Sequence, residues 1–124
     1  MSKNIMQFQY DSEEDILFFY SKKDYNYEFS EHLNPFVTLG FDDKNFPVDL
    51  EILDASKVLN TKKHILKNIE NGEIVIKISE NKIDLSLSLI ITVHQKPTTV
   101  PVTVVGVNKS HIPNIKAEVA VASA

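Results

Sequence analysis

The run 82-KIDLSLSLIITVH-94 limits what this chain can fold into more than any other stretch. Ile83, Leu85, Leu87, Leu89, Ile91 and Val93 take alternate positions; Asp84, Ser86, Ser88, Thr92 and His94 take the others, and only Ile90 breaks the polar set. Successive side chains of a strand point to opposite faces, so this period of two predicts a long strand with one dry and one mostly wet face. It runs well past the about 5–6 residues of an ordinary strand. A contiguous apolar face of that length is rarely left open on a soluble monomer. The expectation is that the first-half sheet is too small to cover it and that a second copy does so. That marks Leu85, Leu87, Leu89 and Ile91 as the interface of a homodimer or a larger closed ring.

The same period recurs in shorter form along the chain. Ile5 to Tyr10 and Ile16 to Ser21, rich in β-branched and aromatic residues, flank a polar turn and predict a hairpin. Residues 22–35 read as a loop in which Tyr25, Tyr27 and Phe29 place a short edge strand. Val37, Leu39 and Phe41, then Val48, Leu50 and Ile52, predict two half-buried strands joined by the turn 42-DDKN-45. After Leu53 the period changes. Asp54 is placed to cap a helix beginning near Ala55, Asn60 to break it, Thr61 to cap a second segment through Ile69, and Gly72 to end it with a positive φ. Ile74, Ile76 and Ile78 predict a further strand, as does Thr98 to Val107, where Pro101 favours an edge. Ala117 to Ala124 alternates Val119 and Val121 with small residues, as a last strand or a frayed tail. The predicted fold class is α+β: a strand-rich, mostly antiparallel meander sheet with one broken helix over about residues 55–70 between two β sections. The 124 residues read as one domain, with a first section at 6–60, a second at 72–108 and a tail at 109–124.

Charge narrows the function classes. All 13 basic residues are lysine, so the guanidinium fork that grips phosphates and guanine edges is absent. The net charge of -4 also opposes binding to a polyanion, so nucleic acid is not the expected partner. Residues 1–54 hold twelve acidic side chains against four lysines, a net of -8, and residues 55–124 hold nine lysines against five acidic side chains, a net of +4. Complementary halves of this kind serve folding or self-association. With no cysteine there is no disulfide or thiolate chemistry. No apolar run reaches the about 20 residues that span a bilayer, and Met1 to Tyr10 lacks the layout of a signal peptide. The expectation is a cytoplasmic protein without membrane attachment. No cofactor is expected, because Gly40, Gly72 and Gly106 are too scattered to cradle a phosphate.

The sharpest chemical cluster is Asp11, Glu13, Glu14 and Asp15, four carboxylates within five residues that could gather around a hard cation. An EF-hand is excluded, since the positions of its glycine and bidentate glutamate hold Ile16 and Lys22. The plainer reading is a hairpin turn in which Asp11 accepts local amide hydrogens. His32, His64, His94 and His111 lack the spacing that lets one element hold a metal. Lys57, Lys62, Lys63 and Lys67 with His64 form a basic helical face that reads first as solvated. Tyr25, Tyr27 and Phe29 read either as a stacking platform or as a partly buried edge.

Two segments, 10-YDSEEDILFFY-20 and 50-LEILDAS-56, resemble the Tyr-Asp-x-x-x-Asp-x-Leu opening and the Glu-Ile-Leu-x-Ala-Ser ending of a prokaryotic family catalogued as domain of unknown function 2283. The resemblance covers roughly residues 6–60. It departs at 42-DDKNFPVDL-50, where the family usually carries a turn glycine and a Val-Gly pair before the glutamate. It implies a meandering antiparallel sheet with a short helix and no particular reaction, and some members are similar to antitoxin-like protein partners of small toxins. Two function classes follow from the whole reading. One is a non-enzymatic interaction or self-assembling module; the alternative is a metal-dependent or acid-base enzyme using the acidic turn with a histidine.

Overall fold

The computed structural model of the protein describes residues 4–123. β1 (Asn4–Asp11) and β2 (Ile16–Ser21) form the predicted hairpin, with Phe8 opposite Phe19 and Tyr10 opposite Leu17. β3 (Tyr27–His32) is a short edge strand, paired among the described residues with β4 (Val37–Asp42) alone. β5 (Pro47–Ile52) joins β4 to β2, both antiparallel. Asp42 and Asn45 replace the glycine expected at the β4–β5 turn. The Asp42 carboxylate accepts the amides of Lys44 and Phe46, each at 2.9 Å, and Asn45 takes a φ of 64°.

The expected broken helix is two separate turns. α1 (Ala55–Val58) and α2 (Lys63–Leu66) hold four residues each, and Asn60 breaks the chain between them with a φ of 50°. Neither predicted cap acts as one. Asp54 sits at the N-cap of α1 in the left-handed region, φ 49°, and its side chain caps nothing; Lys62, not Thr61, precedes α2. Gly72 terminates no helix, because it lies inside β6 (Ile69–Ile78), which starts five residues before its first predicted isoleucine, Ile74. β6, β7 (Lys82–Val93) and β8 (Lys96–Val107) form an antiparallel meander. His94 and Gln95 turn the chain between β7 and β8 with φ values of 50° and 65°.

The segment expected as a last strand or a frayed tail is an interior strand of the sheet. β9 (Ile115–Ala122) lies between β1 and β6, parallel to β1 and antiparallel to β6, so among the described residues one nine-stranded sheet runs β3-β4-β5-β2-β1-β9-β6-β7-β8. Ala117, Val119 and Val121 all point inward and are buried. The small residues between them make the signal of this strand weak in the sequence, although its period of two is intact.

The sheet curls until its two edges meet. Gly106 on β8 lies so close to the β3–β4 connection that a side-chain carbon there would sit 2.7 Å from Cα of Leu33. Beside it, Glu31 on β3 accepts the amide of Ser110 at 2.9 Å. The inward faces of both sections therefore share one core, in which Phe19, Leu39 and Leu50 join Ile76, Leu87 and Val119. This corrects the expected interface. Leu85, Leu87, Leu89 and Ile91 are at most 1% exposed within a single copy, because the chain's own curled sheet covers the face of β7.

Candidate functional site

The two segments that carry the family resemblance meet in space. The β1–β2 turn brings Asp15 inward with a φ of 56°, and Asp15 is buried at 6% exposure. Its Oδ1 accepts the Tyr10 hydroxyl at 2.7 Å and the Ser56 amide at 3.0 Å, while its Oδ2 accepts the Ser56 hydroxyl at 2.6 Å. The Asp15 carbonyl also accepts the amide of Ala55 at 2.9 Å. Asp15 therefore provides, from 41 residues away, the helix cap that Asp54 does not. Burial alone would raise the Asp15 pKa, but the Ser56 hydroxyl, the Tyr10 hydroxyl, the Ser56 amide and the charge of Lys63 together hold it below 3.8. The same environment pushes the Tyr10 hydroxyl well above its ordinary value, through burial first and then through Asp15. Asp15 is thus a fixed anion with its acceptor sites engaged, suited to holding a turn against a helix and poorly suited to exchanging protons.

The other carboxylates of the acidic turn do not join it in a metal cage. Asp11 accepts the amides of Glu13 and Glu14 at 3.0 and 3.1 Å, as a turn residue should, and Glu13 and Glu14 are exposed. Among the described residues, no three His, Asp or Glu side chains gather in a way that could hold a metal ion. His32 pairs with Thr38 through Nδ1 at 2.8 Å, and His64 and His94 line one shallow cleft beside Asn68. The aromatic trio is split. Phe29 stacks on Phe41 with centroids 5.0 Å apart, Tyr27 is exposed with its hydroxyl on Ser30, and Tyr25 reaches to Asp49.

That last contact leads to a second cluster, which the sequence reading missed. On the outer face of β2, β4 and β5, Tyr20, Asp49 and Gly40 are neighbours across the ladder. The Asp49 carboxylate lies over Gly40, in space that a side chain at Gly40 would need. The Tyr25 hydroxyl donates to Asp49 at 3.4 Å, and Phe18 stacks on Tyr20 at 5.7 Å. Partial burial raises the Asp49 pKa above 3.8 and neighbouring Glu51 adds to it, against the opposing Tyr25 hydroxyl and Gly40 amide. A glycine in mid-strand, with no turn to explain it, was the available signal for this close approach. An open cleft of about 350 Å³ adjoins Tyr25, walled by Ile5, Met6, Phe46 and Val48.

The fold and these contacts define a small curled-sheet domain whose signature residues tie a hairpin turn to a helix start. Residues 7–56 of the chain match the model of the family described as "Protein of unknown function (DUF2283)". It is also 31% identical over 110 residues to a Methanosarcina mazei protein described as "Putative hypoxanthine phosphoribosyltransferase", a match that spans 88% of this chain and 87% of that one. No solved structure matches the chain. Among the described residues, no helix is long and apolar enough to cross a membrane.

Proposed function

We propose that the chain is a non-enzymatic interaction module that associates with protein, in the first instance with further copies of itself. The observation that carries this reading is the saturation of Asp15. The residues of the family motif that most resemble a reaction centre, Tyr10, Asp15 and Ser56, spend their polar atoms on one another and on the start of α1. The outer faces remain for contact. They are acidic and aromatic on the first-half strands and of mixed charge on β6 and β9, where Glu70, Glu73 and Glu118 accompany Lys77 and Lys116.

The relative's description brings phosphoribosyl chemistry, which needs a grip on phosphate. Such grips are built from glycine-rich turns opening onto a helix. Here Gly40, Gly72 and Gly106 lie inside β4, β6 and β8, and both helices are four residues long. The family analogy with antitoxin-like proteins agrees with a protein partner and sets no surface for it. Sedimentation equilibrium from low to high micromolar concentration tests the reading: a mass rising above the 14.1 kDa of one chain supports it. A constant 14.1 kDa, with turnover of hypoxanthine in the presence of a phosphoribosyl donor, contradicts it.

A further inference from the structure

We infer that the free edge of the sheet at β8 is barred to any further strand by Pro97 and Pro101, so that a partner, another copy included, meets this protein on the outer faces of its sheet and not by strand addition. The inference goes beyond the interaction-module reading and holds whether or not the chain self-associates. Among the described residues β8 ends the strand order, with β7 as its ladder partner. An edge strand presents unpaired amides and carbonyls, a template on which another strand can add. β8 has the makings of such a template. It is long, rich in valine and threonine, and free of charged side chains from Pro97 to Asn108.

The register decides which of its backbone groups face outward. In an antiparallel pair, opposed residues alternate between those that exchange both hydrogen bonds and those whose amides and carbonyls point away. The Asn108 amide donates to the Asn81 carbonyl at 3.1 Å, one step beyond the opposed pair of Lys82 and Val107. On the other side of β7, the Ser79 amide donates to the Lys82 carbonyl at 3.0 Å, which turns the even-numbered residues of β7 to β6 and the odd-numbered ones to β8. Both bonds give the same phase. Val100, Val102 and Val104 bond to β7, while Pro97, Thr99, Pro101, Thr103 and Val105 face the open edge. The two prolines therefore cost the β7–β8 ladder nothing. Each puts a pyrrolidine ring where an incoming strand requires an amide hydrogen. Any three consecutive outward positions from Pro97 to Val105 include Pro101. Beyond Val105 the strand enters the seam, where Gly106 packs on Leu33.

The opposite edge is protected by other means. β3 has six residues, is bulged between Tyr27 and Phe29, and carries the exposed Glu28 and the inward, buried Glu31. β8 has an unbroken register and no such charge, which leaves the task to its prolines.

The test replaces both prolines, Pro97→Thr with Pro101→Thr, and compares this variant with the parent by sedimentation over a micromolar range and by amide hydrogen exchange read by NMR. Neither change touches a bond to β7, and a thermal melt verifies the fold. The variant is expected to self-associate at least tenfold more tightly than the parent, with the Thr99 and Thr103 amides slowing as it does so. In the parent those two amides are expected to exchange fast at every concentration, beside the slow amides of Val100 and Val102. A folded variant that associates no more tightly than the parent overturns the barrier. Thr99 and Thr103 amides that slow with concentration in the parent also overturn it, and leave the interaction module standing. A parent that stays monomeric with both amides fast supports the barrier and contradicts self-association. The parent's exchange requires no variant, so it decides even where the replacement unfolds the chain.

Discussion

Ser56 gives both its amide and its hydroxyl to the carboxylate of Asp15, at 3.0 and 2.6 Å, across 41 residues of chain. The contact joins the turn of the first hairpin to the first turn of the first helix. With Tyr10 donating to the same carboxylate at 2.7 Å, it ties together the two segments that carry the family resemblance, the second of which closes the matched residues 7–56.

The opposite shifts of Asp15 and Asp49 predict opposite pH behaviour. The Asp15 pKa is lowered on folding, so its stabilising effect is present above 3.8 and is lost as pH falls through the lower folded value. The Asp49 pKa is raised, so its ionisation destabilises the fold as pH rises from 3.8 through the higher folded value, and the full cost stands at neutral pH. Asp49→Asn is therefore expected to be more stable than the parent at pH 7, with the difference vanishing below pH 3.8. Denaturant titrations of dilute protein at a series of pH values check this. A variant less stable than the parent at pH 7 contradicts the assigned direction.

Asp54 separates a cap from a strained backbone. In the left-handed region a glycine has no side-chain carbon to crowd the carbonyl, so Asp54→Gly is expected to stabilise the protein by about 0.5–1 kcal/mol. A side-chain cap would make the same change destabilising. The sign of the shift in a urea midpoint decides between them.

Leu87 tests where the long strand hides its apolar face. At 1% exposure within one copy it belongs to the core, so Leu87→Lys is expected to unfold the protein, since an unpaired buried charge costs several kcal/mol. Circular dichroism with sedimentation checks it: a folded monomer would restore the face to an interface between copies.

The seam between the sheet edges predicts a position intolerant of any side chain. Gly106→Ala places a carbon against the backbone of Leu33, and relief requires β8 to move away, at about 1–3 kcal/mol. Hydrogen exchange should then quicken in β8 and in the β3–β4 connection together. Exchange quickened in β8 alone contradicts closure at the seam.

Much of this architecture was legible because one period carried it. The alternation around Leu39, Leu50, Ile76 and Leu87 marks β4, β5, β6 and β7 in the sequence, and on β4 and β5 it also marks the face that turns to the core. What was not legible was curvature and order. β9 carries only Val119 and Val121 as large inward residues after Ile115, and nothing local says that it pairs with β1, more than a hundred residues earlier. With β9 left between a last strand and a frayed tail and its partners unknown, the face of β7 seemed to need a second copy. The acidic turn divided in the same way. Asp11 bonds its neighbours, a local rule that the sequence reveals, whereas the partner of Asp15 lies at Ser56 and only the fold brings it near. Asp54 looked like the cap because caps are ordinarily local.

The central claim, that the family motif is a structural clasp, is tested most directly by a double-mutant cycle of Asp15→Asn and Ser56→Ala in denaturant unfolding, at one low protein concentration. Each single change is expected to cost about 1–3 kcal/mol, since it leaves buried polar groups without partners. The double variant is expected to fall short of the sum by about 1 kcal/mol or more, the signature of two residues acting through one contact. Parental stability in either single variant, or losses that simply add, would contradict the clasp.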